Sequence, residues 1–377
     1  MPKQILIVRS NPIDPDPRVE KMARALAEAN HRILILGWDH TCRLPAVEHR
    51  SYAVIHRCSI STGFAHGIFN LPGLLRWEVA QLRWLIRHRS EYDIIHACDF
   101  DTILPALLIQ SVTKKKVVYD IFDFYSEMLR ATPEVLKRMI RAMDLWAIGR
   151  ADALILADDS RRRQISGARP RRLEIIYNTP EDVRDQIASR KPVRPPFSLL
   201  HLTYVGLLQI ERGLLHLLEV LHRHSEWTLD LAGSGGEADQ ITRIAAELPN
   251  VTWHGTVPYQ AGLELSAKAD VLLATFDPKI PNNRYSSSNK LFEAMMLGKP
   301  IIVAHDTNMD RIVTEVECGL VVNYGDDLAL EAALLRLQRE PKLRLRLGKN
   351  ARRAYETNFN WTFMQQRLYR LYGHVTG

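Results

Sequence analysis

Cysteine is scarce in this 377-residue chain, which has four: Cys42, Cys58, Cys98 and Cys318. They are scattered, with neither metal-ligand spacing nor a disulfide framework, so no stapled fold or zinc module is expected and a reducing compartment fits. No apolar run is long enough to span a bilayer. The opening residues, MPKQILIVRS, lack the long apolar core of a signal peptide, so a cytoplasmic location is expected. No internal repeat, low-complexity tract or recognised nucleic-acid module is present, which argues against a nucleic-acid partner. What remains is an ordinary globular composition, 46% hydrophobic and 25% charged, with a net charge of +7. Modest basicity of this kind suits phosphorylated small molecules or an anionic membrane surface.

The chain alternates short apolar runs with amphipathic segments, the pattern of parallel α/β sheets. Strands are expected at Gln4–Arg9, Arg32–Leu36, Tyr92–Ala97, Lys116–Asp120, Ala153–Ala157 and Leu173–Tyr177. The first strand–helix–strand unit lacks G-x-G-x-x-G at its turn, which argues against a dehydrogenase. Residues 178–197 contain Pro180, Pro192, Pro195 and Pro196 amid charges and read as a linker. A second alternation follows, with strands at 199–206, Trp227–Ala232, Val251–His254, Asp270–Thr275, Ile301–Ala304 and Gly319–Val322. The expected domains are 1–180, a linker over 181–198, 199–358, and a terminal helix from 359 to 377 that packs back on the first. Chemistry in open parallel sheets gathers at the carboxyl ends of strands, which singles out His96 and Asp99 after one strand and the run YDIFDFYSEM after the next. A histidine there also serves as a structural hydrogen-bonder.

Two stretches carry more information. In helix 72–89 the spacing makes Leu71, Leu75, Val79, Leu82 and Ile86 a core stripe. Trp77 and Trp84 lie on a neighbouring stripe beside Arg76, Arg83 and Arg87, which suits a lipid-headgroup interface or plain packing inside the domain. In SSSNKLFEAMMLGKP (286–300), serines and Asn289 cap a helix that Gly298 and Pro300 end. Taken alone, that fits a capped helix with a solvated lysine and glutamate. At the end of a strand in a doubly wound domain, the same helix start holds anions, phosphates above all. Lys290 would add a charge, and Glu293, one turn on, would accept from a sugar hydroxyl pair.

The residues that carry a family resemblance run nearly the whole length. They are DPRVEKMARALAEANHRILIL, YDIIHACDFDTILPALL, VVYDIFDFYSEM, IIYNTPED, YVGLLQIERGL, LAGSGGE, VTWHGTV and SNKLFEAMMLGKPIIV. With these the chain resembles the retaining glycosyltransferases of family 4, of the group 1 type. The resemblance implies the GT-B fold: α/β, two doubly wound Rossmann-like domains facing a central cleft. It implies transfer of a sugar from a UDP- or GDP-sugar to a glycan or glycolipid acceptor of the cell envelope, with retention by front-face attack. A donor phosphate oxygen then takes the acceptor proton, so neither a carboxylate pair nor a metal or other cofactor is required.

Carried across residue by residue, the resemblance puts Arg212 and Lys290 on the donor diphosphate. Gly206, Ser287, Ser288 and Asn289 border the same phosphates. Glu293 takes the ribose and the backbone at Val257 meets the base. His96, Asp99, Asp123 and Arg18 stand on the acceptor side. Three positions depart from the family pattern. Tyr285 stands where a glutamate is common, Phe122 where a histidine is usual, and Leu207 where an arginine is usual. These departures also fit a non-catalytic sugar-nucleotide-binding subunit, and an epimerase shares the fold.

Overall fold

The computed structural model describes residues 2–62, 71–129, 132–188, 199–285 and 288–377. The chain divides into two compact units, Met1–Tyr177 with Met364–Gly377, and Asn178–Phe363. Of the expected linker, residues 189–198 lie outside the described ones, as does Ser287.

In the first unit the elements run β1 (Gln4–Arg9), α1 (Pro17–Glu28), β2 (Arg32–Asp39), β3 (Val47–Arg50), β4 (Ala53–Ser59) and α2 (Leu71–Arg87). They continue with β5 (Ile94–Cys98), α3 (Phe100–Thr113), β6 (Lys116–Ile121), α4 (Tyr125–Met128), α5 (Glu134–Arg150), β7 (Ala153–Leu156) and β8 (Leu173–Ile175). Among the described residues the strands form one eight-stranded sheet, ordered β3-β4-β2-β1-β5-β6-β7-β8. It is parallel except where β3 meets β4. The central strands are continuous apolar runs because both of their faces are covered. Ile5, Leu6, Ile7 and Val8 are fully buried, as are the side chains of β7. Asp16 caps α1 by accepting from the Val19 amide at 3.1 Å. The Glu20 carboxylate accepts from the Asp16 amide at 3.0 Å in return, so two orphan donors are satisfied reciprocally.

The second unit carries α6 (Arg184–Ala188), β9 (His201–Leu207), α7 (Leu214–Arg223), β10 (Thr228–Ser234), α8 (Ala238–Ala246), β11 (Val251–Trp253) and α9 (Tyr259–Lys268). Next come β12 (Val271–Ala274), α10 (Pro281–Arg284), α11 (Asn289–Leu297), β13 (Ile301–Ala304), α12 (Asn308–Val316), β14 (Gly319–Val322), α13 (Asp327–Arg339) and α14 (Pro341–Ala354). Its six-stranded parallel sheet is ordered β11-β10-β9-β12-β13-β14 among the described residues. In each sheet the strand order reverses beside the first strand, β1 or β9. Such a switch point opens a crevice at the carboxyl ends of the strands.

The face that α2 buries is not the expected one. Gly73, Trp77, Gln81 and Leu85 point inward, while Leu71, Leu75, Val79 and Ile86 are exposed. The reason is Trp77. Its indole stacks on Trp38 at 5.4 Å and its N–H donates to the Asp101 carbonyl at 2.9 Å. Gln81 sits in the same row because its amide donates to the Thr102 carbonyl at 2.7 Å. Burying an indole with its donor satisfied outweighs burying a leucine row. Trp77 is therefore no headgroup anchor, and Trp84 stacks on His88 at 4.1 Å.

Candidate active site

In the second unit the site is built at the end of β9. Gly206 has φ +148°, and a Cβ there would run into the Lys290 ammonium. One strand over, a Cβ on Gly233 would strike the Gly206 carbonyl. Two glycines thus let adjacent strand ends approach and leave room for a lysine. Ser288 caps α11, its hydroxyl accepting from the Lys290 amide at 3.3 Å. The Lys290 ammonium donates to the Val205 carbonyl and lies over the Tyr204 ring, 4.3 Å from its centroid. Burial brings this amine down to about 8; Glu293 pulls it up and Arg212 pushes it further down.

Arg212 reaches the same place from the turn before α7. Its guanidinium lies 4.1 Å over Phe276 and donates to Asn283 Oδ1 at 3.4 Å. Gly213 follows at φ +75°, where a Cβ would collide with Thr275. Glu293, one turn into α11, accepts a hydrogen bond from Tyr259; burial and this carboxylate raise the phenol well above its usual range. Two cations, one carboxylate and a helix start therefore meet at the carboxyl end of β9. Asn289 is exposed at the first position of α11. Val257 is half-buried in the turn between Gly255 (φ +71°) and α9. Leu207, one of the departures, is half-exposed at the strand end. Tyr259, Thr275 and Asn283 are additional to the sequence reading. The strand-end position of Thr275 was a usable signal, whereas nothing local marked the other two.

In the first unit Asp99 stands at the N-terminal position of α3 with φ 64°, and its side chain is turned away from the helix start. One carboxylate oxygen accepts from the Phe122 amide at 2.8 Å, and the other pairs with the Arg9 guanidinium. Burial pulls the Asp99 carboxyl up to about 6 against Arg9, which leaves the pair ionised at neutral pH. Phe122, another departure, is clasped between two guanidiniums, Arg9 at 4.2 Å and Arg18 at 4.7 Å from its ring centroid. An aromatic face in that position replaces a polar ring with a cation–π contact. Asp123 accepts from Arg161 at 2.7 Å and remains half-exposed. Arg9, at the carboxyl end of β1, was absent from the sequence reading although its position pointed to it.

His96 and Arg18 lie deeper. His96 is fully buried, with Nδ1 at 2.7 Å from the Tyr372 hydroxyl on the C-terminal helix (Trp361–Thr376) and Nε2 at 3.3 Å from Asp120. Arg18 donates to the other Asp120 oxygen at 2.9 Å and to the Ile176 carbonyl at 2.9 Å. Burial works to raise the Asp120 carboxyl, and Arg18 and His96 outweigh it and hold it below the usual range. Cys98 lies beside this pair as a thiol, which burial pushes well up. Within the unit His96, Asp120, Arg18 and Tyr372 pair with one another, and among the described residues Arg18 Nε is left without a hydrogen-bond partner.

Two α/β units with parallel sheets and switch points beside β1 and β9 are the architecture of the GT-B fold. Solved structures share it. Sucrose-phosphate synthase from Thermosynechococcus elongatus aligns with a TM-score of 0.79 at 18% identity, covering 99% of each chain. Anabaena HepE in complex with UDP-glucose aligns at 0.70 and 16%, covering 99% of this chain and 100% of that one. Residues 18–179 match Glycosyltransferase Family 4 and residues 189–354 match Glycosyl transferases group 1. The chain belongs to these group 1, family 4 glycosyltransferases, enzymes of the hexosyltransferase type. Among curated relatives, the lipopolysaccharide core biosynthesis glycosyltransferase LpsD of Rhizobium meliloti is 25% identical over 193 residues. That match takes in 50% of this chain and 54% of LpsD, so the chain spans about half of that relative's length. Phosphatidyl-myo-inositol mannosyltransferase of Mycobacterium leprae is 24% identical over 303 residues, 78% of this chain and 76% of that one. Among the described residues no helix is long and apolar enough to cross a membrane.

Proposed function

We propose that the protein transfers a sugar, with retention, from a UDP- or GDP-sugar to a glycan or glycolipid acceptor of the cell envelope. The observation that carries this reading is the meeting of Lys290, Arg212 and Glu293 with the start of α11 at the carboxyl end of β9. Bond breaking develops charge on the leaving diphosphate, and fixed cations with helix N–H groups stabilise it where it forms. In this reading Lys290 and Arg212 hold the diphosphate while Ser288 and Asn289 border it. Glu293, oriented by Tyr259, takes the ribose. The turn at Val257 meets the base. Asp99 and Asp123 face the acceptor from the first unit, positioned by Arg9 and Arg161. His96 and Arg18 act through Asp120 as supports of that strand end. Front-face transfer needs no protein nucleophile, since a donor phosphate oxygen takes the acceptor proton. HepE, a fold neighbour, was solved with UDP-glucose and with UDP and glucose. The named relatives act in lipopolysaccharide core synthesis and on phosphatidyl-inositol, which supports an envelope acceptor.

The test is a thermal shift with UDP and GDP. A ligand that binds only the folded state raises its melting temperature. The Lys290 amine lies at about 8 in the free protein, so at pH 9 it must take up a proton to meet a diphosphate. Binding of the matching nucleotide is expected to weaken about tenfold between pH 7 and pH 9. No shift with either nucleotide, or a shift independent of pH, would contradict the reading.

A further inference from the structure

The second unit holds a cationic cavity at the strand ends opposite Lys290. It lies where β12 and β13 begin, between the end of α11, the start of α6 and one face of α14, and measures about 510 Å³. Pro341, Arg344, Gly348 and Arg352 recur along that face at helical spacing, with Lys349 and Arg353 beside them. α14 comes close to α11 through a pair of glycines. A Cβ on Gly348 would strike the Gly298 carbonyl, and Gly298 ends α11 at φ +67°. The cations of α14 are thereby brought against the carboxyl end of α11.

The ordinary use of a cation at that place is to bond the last carbonyls of the helix. Arg352 does so, donating to the Met296 carbonyl at 2.8 Å, and it pairs with Asp182 and Glu356 at 2.6 Å each. Lys299 donates to the Ala269 carbonyl, and Arg344 to the Leu337 carbonyl at 2.9 Å. The others have no such task. Among the described residues Arg184, Lys349 and Arg353 make no side-chain hydrogen bond or ion pair. The two acids in the wall are engaged, Glu356 by Arg352 and Asp270 by the His201 amide at 3.0 Å. Six basic side chains therefore face two committed carboxylates. Like charges gathered in one concavity repel one another, and a bound anion relieves them. Leu297, Pro300 and Pro341 give the cavity an apolar floor. A concavity of this size with a few convergent polar groups has the form of a ligand site.

We propose that this cavity binds a polyphosphate group, free or as the tail of a nucleotide, with Arg184, Arg344, Lys349 and Arg353 on its oxygens. Arg344 to Arg353 covers roughly 13 Å of helix axis. One phosphate cannot meet cations spread over that length and over α6, whereas a chain of phosphates can. α14 also begins in the wall, and no side chain caps its first turn. Its unpaired amides there favour the same anion. None of these residues belongs to the proposed donor site, which lies at the other end of α11, so the two readings fail separately.

The experiment is calorimetric titration of the full chain carrying Lys290→Ala, which weakens phosphate binding at the donor site, with inorganic tripolyphosphate, ATP and orthophosphate. Tripolyphosphate and ATP are expected to bind, and orthophosphate at least about tenfold more weakly because it carries less charge. Tighter binding of ATP than of tripolyphosphate identifies the ligand as a nucleotide, and the reverse order as free polyphosphate. Adding Lys349→Glu with Arg353→Glu should weaken binding at least about tenfold, since each reversal removes an attraction and adds a repulsion. Lys349→Gln with Arg353→Gln should give part of that loss. Both positions are exposed, so the melting temperature should hold. With Lys290 intact, the same pair should leave UDP and GDP binding unchanged. No binding of either polyphosphate to the Lys290→Ala protein overturns the proposal. So does binding that ignores the charge reversals, or orthophosphate bound as tightly as tripolyphosphate.

Discussion

Lys290→Ala is expected to lower turnover about 10²–10³-fold, the usual effect of removing one preorganised donor from a developing oxyanion. The lysine is set in place before any ligand arrives. Its ammonium is tied to the Val205 carbonyl, lies over Tyr204, and occupies the space that Gly206 leaves open. That geometry places the full charge where a diphosphate would meet the start of α11. The loss should fall mainly on kcat, because the negative charge grows as the sugar–phosphate bond breaks. The fold should survive. Burial takes the amine from its ordinary value of 10.5 down to about 8, so at neutral pH the folded protein carries a charge it disfavours. Stability attributable to this group is therefore lowest below about pH 8 and rises as pH climbs toward 10.5. Steady-state kinetics with a melting curve checks both halves. An unchanged kcat, or a collapse of the fold, would refute this role for Lys290.

Asp120→Ala is expected to cost about 3–5 kcal/mol, the range for breaking a buried ion pair by deleting one partner. Asp120 is fully buried and serves two groups, Arg18 at 2.9 Å and His96 at 3.3 Å. His96 in turn holds the Tyr372 hydroxyl of the C-terminal helix. The substitution leaves a guanidinium stranded in the interior, and the histidine loses its acceptor. Arg18 and His96 keep Asp120 ionised, so its contribution is present at neutral pH and is lost as pH falls through the depressed native value. Urea unfolding of the variant at pH 7 measures the loss. A change under about 1 kcal/mol would show that the network is not a support.

The sequence made the sheets legible for a physical reason. Parallel strands covered on both faces are continuous apolar runs, and QILIVR or IIVA admits few other readings. β3 and β4 escaped because HRSYAVIHRCS mixes histidine and arginine into an edge pair, of which β3 is antiparallel. α3 escaped because Pro105 interrupts it, although the helix accommodates the proline. The orientation of α2 was misread because Gln81 looks polar in sequence, while in the fold a carbonyl satisfies it. In the second unit, the helix start with Lys290 and Glu293 is visible in SNKLFEAMMLG because cap and spacing are local. Tyr259, Asn283 and the approach of Gly233 to Gly206 come from strands and helices far apart in sequence, and no local pattern announces them. His96 illustrates the converse. A histidine at a strand end looks reactive, yet its ring nitrogens are taken by Tyr372 and Asp120.

A crystal structure of the protein with bound UDP or GDP tests the central claim most directly. The account predicts the two phosphates within hydrogen-bond distance of the Lys290 ammonium and the Arg212 guanidinium, against the first turn of α11, with the ribose hydroxyls on Glu293. A nucleotide bound elsewhere, or a diphosphate that leaves Lys290 still on the Val205 carbonyl and out of reach, would contradict it.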